Sequence, residues 1–231
     1  MRVLSVAQVR EADRRCIEEL GIPGPVLMNN AGSAVFREIE SGPITVLCGK
    51  GNNGGDGFVV ARLALITGWQ VRVVLLTEPT NIRGDSEIFM KAYLRLGGKM
   101  EVCLNDDEVR DALLESDIYS TYVDAILGTG TQGEVKGIYR TAIECLNSLN
   151  KNVVSVDLPS GLNADTGEPC GVCVRANKTV TFQFVKKGFL NPVAKEYLGE
   201  LIVADIGIPE ICADDEAWRK LKEENQVWFK E

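Results

Sequence analysis

The stretch VLCGKGNNGGDGFVVARLA, residues 46–64, decides the fold. A hydrophobic run at 44–48 ends in a loop that packs five glycines, two asparagines and an aspartate into nine positions, 49–57. An amphipathic segment follows at once, so the stretch predicts a buried strand, a glycine-rich turn and a helix over about 57–67. Such a turn can bind phosphate through its backbone N–H groups alone.

The same loop matches the GxGxxG pattern of dinucleotide-binding folds, from Gly49 to Gly54. That match is weak by itself, because the full fingerprint needs a helix that starts within the motif and an acidic residue about 20 positions on. Glu78 is the best candidate for the acid and lies somewhat late. The loop also carries two amides and an acid where a dinucleotide-binding loop has small apolar residues. An oxygen-rich lining of this kind instead suits a hard cation.

The composition excludes several kinds of site. The chain has 231 residues, with 45% hydrophobic and 25% charged residues, as in an ordinary globular protein. Its net charge of −8 argues against a nucleic-acid partner held by phosphate contacts. Because the chain has no histidine, it cannot contain a Ser-His-Asp or Cys-His arrangement or a histidine-ligated zinc ion. Proton transfer must therefore fall to carboxylates, Lys, Tyr, Cys or water.

The seven cysteines lie mostly in apolar stretches, where a free thiol behaves as a small hydrophobe. The one CxxC, Cys170 to Cys173, has neither a second pair for zinc nor an evident helix N-terminus for redox chemistry. The N-terminus is charged within a few residues, and the chain contains no run of about 18 apolar residues. We therefore expect structural cysteines, a cytoplasmic location and no membrane partner.

Strand-like and helical segments alternate from residue 44 onward. This spacing predicts an α/β fold with a mainly parallel sheet that helices cover on both faces. We find no repeat or linker, so we predict a single domain over 1–231. Its parts are a helical N-terminal segment at 5–41, an α/β core at 44–209 and an amphipathic tail at 210–231. The predicted strands are 44–48, 71–77, 99–103, 121–127, 152–157, 178–184 and 200–204, and the other core helices are 84–96, 106–115 and 138–149.

Three of the predicted strands are followed by loops that are rich in glycine and in polar side chains. They lead into GKGNNGGDG at 49–57, LGTGTQG at 127–133 and LPSGLN at 158–163. Ligands of open parallel sheets bind outside the carboxyl ends of the strands, so three such loops at one edge indicate a site. Asp124 lies inside an apolar run, and a buried carboxylate is costly unless it is paired or bound to a cation.

Structural roles remain open for several of these residues. Asp56 can instead N-cap the helix predicted near Gly57. Asp157 can serve only to form the turn that follows its strand. The Gly-Thr-Gly at 128–130 suits phosphate binding but also suits a tight turn. Asn29 and its neighbour fit helix packing and a site-facing role about equally.

The combination GKGNNGGDGFVVARLA, VDAILGTGTQGEVKG and VDLPSGLNADTGEP closely resembles the NAD(P)H-hydrate epimerases, the family of the YjeF N-terminal domain. The opening at 5–32 and the segment around VTFQFVKKGF are similar to the same family, so the resemblance covers about residues 4–209. It implies a Rossmann-like three-layer α/β/α fold. It also implies interconversion of the R and S epimers of hydrated NADH and NADPH, which carry a hydroxyl on C6 of the nicotinamide ring. A separate ATP- or ADP-dependent dehydratase then acts on the S form.

The resemblance also implies which residues form the site. The family's potassium ligands map onto Asn53, Asp124 and Ser160, in agreement with the argument above for a cation near Asp124. Asp157 is the implied substrate-contacting aspartate, and we expect it to act as the acid/base at the C6 hydroxyl. The remaining implied substrate-binding residues are Asn52, Asn53, Gly54, Gly55, Asp56, Gly128, Thr129, Gly130, Thr131, Gln132, Gly133 and Glu134.

Two departures from the family pattern keep other functions open. Asn29 stands where many relatives have Glu, and bifunctional relatives continue into a dehydratase domain whereas this chain ends at Glu231. The alternatives are a non-catalytic ligand-binding or scaffold module of the same fold and, third, a nicotinamide dehydrogenase. The resemblance further suggests a homodimer.

Overall fold

The computed structural model describes residues 2–114 and 121–229 and contains a central parallel sheet of seven strands. Buried β-branched residues fill the inner strands, as expected for a sheet with both faces covered. These strands are β2 (Ile44–Cys48), β3 (Val71–Leu75), β4 (Met100–Val102), β5 (Thr121–Ala125), β6 (Asn152–Val156), β7 (Lys178–Phe182) and β9 (Glu200–Ala204). A second, two-stranded parallel sheet pairs β1 (Val3–Leu4) with β8 (Val185–Lys186).

The order of strands in the large sheet is β4-β3-β2-β5-β6-β7-β9. The chain moves outward from β2 to β4 and then returns to the other side of β2, where it forms β5. The carboxyl ends of β2 and β5 therefore flank a topological switch point, which is where doubly wound sheets bind their ligands.

Helices cover both faces of the sheet, in agreement with the predicted three-layer α/β/α fold. One core layer joins the sheet to α2 (Gly24–Arg37), α3 (Asn52–Ile66) and α4 (Asp85–Arg95) through buried side chains such as Val35, Phe58 and Phe89. The opposite layer joins it to α5 (Asp106–Leu114) and α6 (Gly137–Ser148) through Val109 and Ala142. None of the helices in the described ranges combines the length and the apolar character needed to cross a bilayer.

The N-terminal segment is held on the core by the C-terminal one. Helix α1 (Val6–Arg14) begins with a capping box at Ser5 and continues into a π-helical turn, Arg15–Glu19. Ala12 and Cys16 pack in a separate apolar cluster with Trp218 of α8 (Asp215–Glu224). The remaining short helix is α7 (Lys195–Leu198).

All seven predicted strands are present, and several end one or two residues earlier than predicted. The predicted helix at 57–67 is wrong at its start, since α3 begins at Asn52 with Gly51 as its N-cap. Asp56 therefore does not cap this helix. The predicted helix at 106–115 matches α5 as far as Leu114, and residue 115 lies outside the described residues. The last two residues of the predicted tail lie outside them as well.

Candidate functional site

A cavity of about 730 Å³ lies at the carboxyl ends of the strands, at the switch point. Its walls come from the segments that follow β2, β5, β6 and β7, and from α1 and α2. A volume of this size is typical of small-molecule sites. The structure thus places two of the three loops rich in glycine and polar side chains around one pocket, together with Asp157 just before the third, and adds the N-terminal helices to it.

The first two turns of α3 form one wall. Asn52, Asn53 and Asp56 line the cavity, whereas Gly54 and Gly55 are outside its lining. A Cβ atom on Gly54 would meet the Gly49 carbonyl oxygen at 2.1 Å, so that glycine allows the strand-to-helix turn to close. The first backbone N–H groups of α3 have no acceptor within the helix, which gives this wall an excess of hydrogen-bond donors.

The loop after β5 forms a second wall. Within it Thr131 donates from both its N–H and its hydroxyl to the Gly128 carbonyl oxygen, at 3.2 and 3.0 Å, and so closes a turn. The guanidinium of Arg10, on α1, lies against Gly130. The loop residues that line the cavity are Gly128, Thr129, Gly130, Thr131, Gln132, Gly133 and Glu134. The tight turn and the pocket wall are therefore the same segment.

Asp124 lies beneath these loops and is fully buried. Its carboxylate accepts hydrogen bonds from the hydroxyls of Ser155 at 2.8 Å and Ser160 at 2.5 Å, and from the Ser160 N–H at 2.8 Å. The Leu127 carbonyl oxygen accepts from Ser160 and, at 3.0 Å, from the Asn53 amide. Burial raises the pKa of Asp124, and the hydrogen bonds oppose this effect. Ser160 thus contacts both Asp124 and the backbone carbonyl that Asn53 also contacts, so the three predicted metal ligands lie close together.

Asp157 follows β6 directly and adopts a φ of 65°, a left-handed conformation that Asp tolerates better than most residues. One oxygen of its carboxylate accepts hydrogen bonds from the Thr181 hydroxyl and the Phe182 N–H, both at 3.1 Å. The same oxygen accepts at 2.5 Å from the ammonium of Lys186, a side chain that is 1% exposed. This ion pair fixes the position of the Asp157 side chain at the edge of the pocket.

Two further aspartates of the cavity lining, Asp56 and Asp13, have shifted pKa values. Asp56 is 8% exposed and forms no hydrogen bond or ion pair with the described residues. Burial raises its pKa well above the usual value, the charges of Asp157 and Asp13 add to the effect, and Lys186 opposes it. Burial also raises the pKa of Asp13, on α1, to about 6, again with a contribution from Asp157. Asp13, Asp56 and Asp157 thus line one pocket, and burial raises the pKa of the first two.

Sequence reasoning missed Asp13, Arg10 and Lys186. The spacing of Val9, Arg10 and Asp13 puts them on neighbouring positions of one face of α1, which was a usable signal. No comparable signal marked Lys186, because Lys187 beside it is exposed and looks the same in sequence.

Other residues named from the sequence lie away from the pocket. Asn29 accepts a hydrogen bond from Arg62 of α3 at 2.8 Å, so it joins two helices. Glu78 is exposed and is not part of the cavity lining, which leaves the dinucleotide fingerprint without its acid. Burial raises the pKa of both Cys170 and Cys173, and neither forms a disulfide.

The model of the family described as YjeF-related protein N-terminus matches residues 24–188. An NAD(P)H-hydrate epimerase of Rhodopirellula baltica is 35% identical over 89% of this chain and 84% of the relative. A bifunctional NAD(P)H-hydrate repair enzyme of Moorella thermoacetica is 42% identical over 91% of this chain, which spans only 41% of that relative. The crystal structure of yeast ynu0 covers 81% of this chain and 83% of its own, with a TM-score of 0.71 and 20% identity, and so shows the same fold. The chain belongs to the family of the YjeF-related protein N-terminus.

Proposed function

We propose that this chain is an NAD(P)H-hydrate epimerase, which interconverts the R and S epimers of hydrated NADH and NADPH. Two relatives with this name, from Rhodopirellula baltica and Lentilactobacillus buchneri, match over 84% and 95% of their own length. The observation that carries the proposal is the Asp157 carboxylate, which Lys186 holds at the rim of a cavity at the switch point. In a chain without histidine, a carboxylate in this place supplies the acid/base chemistry that epimerisation needs.

The walls of the pocket suit the rest of the substrate. The donors at the start of α3 and the backbone of the loop at 128–134 favour the diphosphate. Arg10 and Lys50 line the cavity too and form no ion pair in the parts of the chain that the structure describes. They add the positive charge that such a group requires, while Asp157 lies at the end of the pocket where the nicotinamide ring would react.

The donor set around Asp124 fits a potassium ion. Asp124 is fully buried, yet it forms none of the ion pairs found among the described residues. Because a buried carboxylate needs a compensating cation, the oxygens of Asn53, Asp124 and Ser160 would hold the potassium ion. The ion would supply positive charge beneath the two phosphate-facing loops and so stabilise their arrangement.

We expect potassium to stabilise the fold through these ligands. At a potassium concentration about 100 times the dissociation constant, mass action adds about 2.7 kcal/mol to the free energy of unfolding. Thermal melting in potassium chloride, compared with the chloride of a bulky organic cation at equal ionic strength, measures the effect. The stabilisation by potassium should shrink in Ser160→Ala and persist in Ser148→Ala, which removes a surface hydroxyl of α6 outside the cavity lining. Equal melting temperatures of the wild-type protein in both salts would contradict the potassium site.

The test of the proposed activity is incubation of the protein with the pure R epimer of NADH hydrate, with chromatographic detection of the S epimer. A reaction without enzyme corrects for spontaneous epimerisation. Binding of the epimers without interconversion would favour the ligand-binding or scaffold module instead. The proposal includes a cytoplasmic location and coupling to an ATP- or ADP-dependent dehydratase, because the longer relatives are named bifunctional repair enzymes.

A further inference from the structure

Inversion of configuration at C6 needs two proton transfers, and Asp157 alone supplies only one of them. If the hydroxyl departs from one face of the ring and water adds to the other, one group must give a proton while a second group accepts one. A single carboxylate on one face serves only one of these steps. The pocket should therefore hold a second proton-transfer group in the opposite protonation state.

Asp56 lines the cavity from a different part of the fold than Asp157. It lies in the second turn of α3, whereas Asp157 follows β6. Strand β5 lies between β2 and β6, so the two chain segments enter the pocket about 10 Å apart. The side chain of Asp56 is more than nine-tenths buried and lines the cavity. It has no hydrogen-bond partner among the described residues, so its one open direction is toward the bound molecule.

Asp157 and Asp56 also differ in the groups that surround their carboxyls. Asp157 receives three hydrogen bonds, one of them from the ammonium of the buried Lys186. Asp56 receives none, and the charged groups that act on it are Asp13, Asp157 and Lys186. The Cys48 thiol is also near, and burial and Asp56 both raise its pKa, so it stays neutral. Two carboxyl groups whose environments differ in this way are the typical acid and base of one site.

We propose that Asp56 is a second catalytic carboxyl, which enters the reaction protonated and gives its proton to the C6 oxygen as that oxygen leaves. This inference rests on the proposed function and assigns Asp56 a role beyond substrate contact. The C6–O bond breaks as the lone pair of the ring nitrogen forms a C=N bond, and water departs. A second water then adds to C6 on the opposite face, the C=N electrons return to nitrogen, and Asp157 takes the water's proton.

The step balances without a further reactant. One proton passes from Asp56 to the departing water and one passes from the entering water to Asp157, so the substrate keeps its composition. Asp13 lines the same cavity. In addition to burial, its charge raises the pKa of Asp56, and the charge of Asp157 raises the pKa of Asp13. Asp13 can return the proton from Asp157 to Asp56 between turnovers.

The first test follows oxygen in the wild-type protein. The R epimer is converted in water labelled with a heavy oxygen isotope. The S epimer is then isolated, and its mass is measured by mass spectrometry. Each turnover should place the heavy isotope on C6. Epimerisation without label would overturn the inference in favour of ring opening, although the proposed function would stand. No epimerisation at all would overturn the proposed function, and the inference with it.

The second test uses Asp56→Asn, a nearly isosteric change that removes the acid. We expect turnover to fall at least about 100-fold while KM stays close to that of the wild type. Because Asp56 has no hydrogen-bond partner to lose, the melting temperature should stay the same or rise. Asp107→Asn, on an exposed side chain of α5, is the matched control and should keep full turnover. Turnover of Asp56→Asn within a few-fold of the wild type would overturn the inference.

Discussion

Asp157→Asn should lower the turnover of the R epimer by about 100- to 10,000-fold, the range that a general acid/base usually contributes. The amide cannot accept a proton from the reacting oxygen at neutral pH. It can still accept the hydrogen bonds of Thr181 and Phe182, and Asn tolerates the left-handed backbone at this position. The change also leaves the buried ammonium of Lys186 without its charged partner, so the melting temperature should fall as well, and the rate is to be measured well below it. Chromatographic rates, together with the circular dichroism of the variant, measure the two effects separately.

Asp107→Asn is the control for this change as well, since it neutralises an exposed carboxylate on the opposite layer of the fold. It should leave the rate unaltered. A rate for Asp157→Asn close to that of the control would show that Asp157 is not the acid/base.

Lys186→Met should be the most damaging substitution for stability among those considered. It leaves Asp157 near Asp13 and Asp56 with no cation of the described residues in contact with its carboxylate. Removal of one partner from a buried ion pair costs about 3 kcal/mol or more. In a chain of this length, that loss lowers the melting temperature by about 10 °C. Turnover should fall with it, because Lys186 holds the Asp157 carboxylate in place.

Two matched variants isolate the ion pair. Lys187→Met changes the neighbouring exposed lysine and should melt like the wild type. The double variant Asp157→Asn/Lys186→Met removes both charges and should recover much of the lost stability, since no unpaired charge is left behind. A single Lys186→Met variant as stable as Lys187→Met would contradict the role that the structure gives to this pair.

The position of the site at one edge of the sheet could be predicted because each strand is defined by a local sequence pattern. Buried runs of β-branched residues define the strands, and their carboxyl ends must meet at one edge. This pattern alone predicts that Asp124, Asp157 and the loop at 128–134 lie at the same edge of the sheet. The burial of Asp124 followed from the apolar run on either side of it.

The parts that sequence did not predict depend on contacts between distant segments. Lys186 is buried and Lys187 is exposed because β8 pairs with β1, and no local pattern reports that pairing. The start of α3 was missed because glycines are poor helix formers in isolation. Here Gly54 passes under the Gly49 carbonyl, where a side chain would collide, so tertiary packing overrides the local preference.

The pairing of β1 with β8 also has a consequence for how the protein folds. Arg2 donates a hydrogen bond to the Ala213 carbonyl oxygen across 211 positions of sequence. The cavity lining itself runs from Val9 to Ile208, so segments from both ends of the described chain must come together to complete the pocket. Contacts of such long range form slowly because their loop-closure entropy is large. We therefore expect refolding chains to bury the core of the sheet first and to gain activity later, in a separate kinetic phase. A growing chain on the ribosome would likewise remain inactive until its last strands had left the exit tunnel.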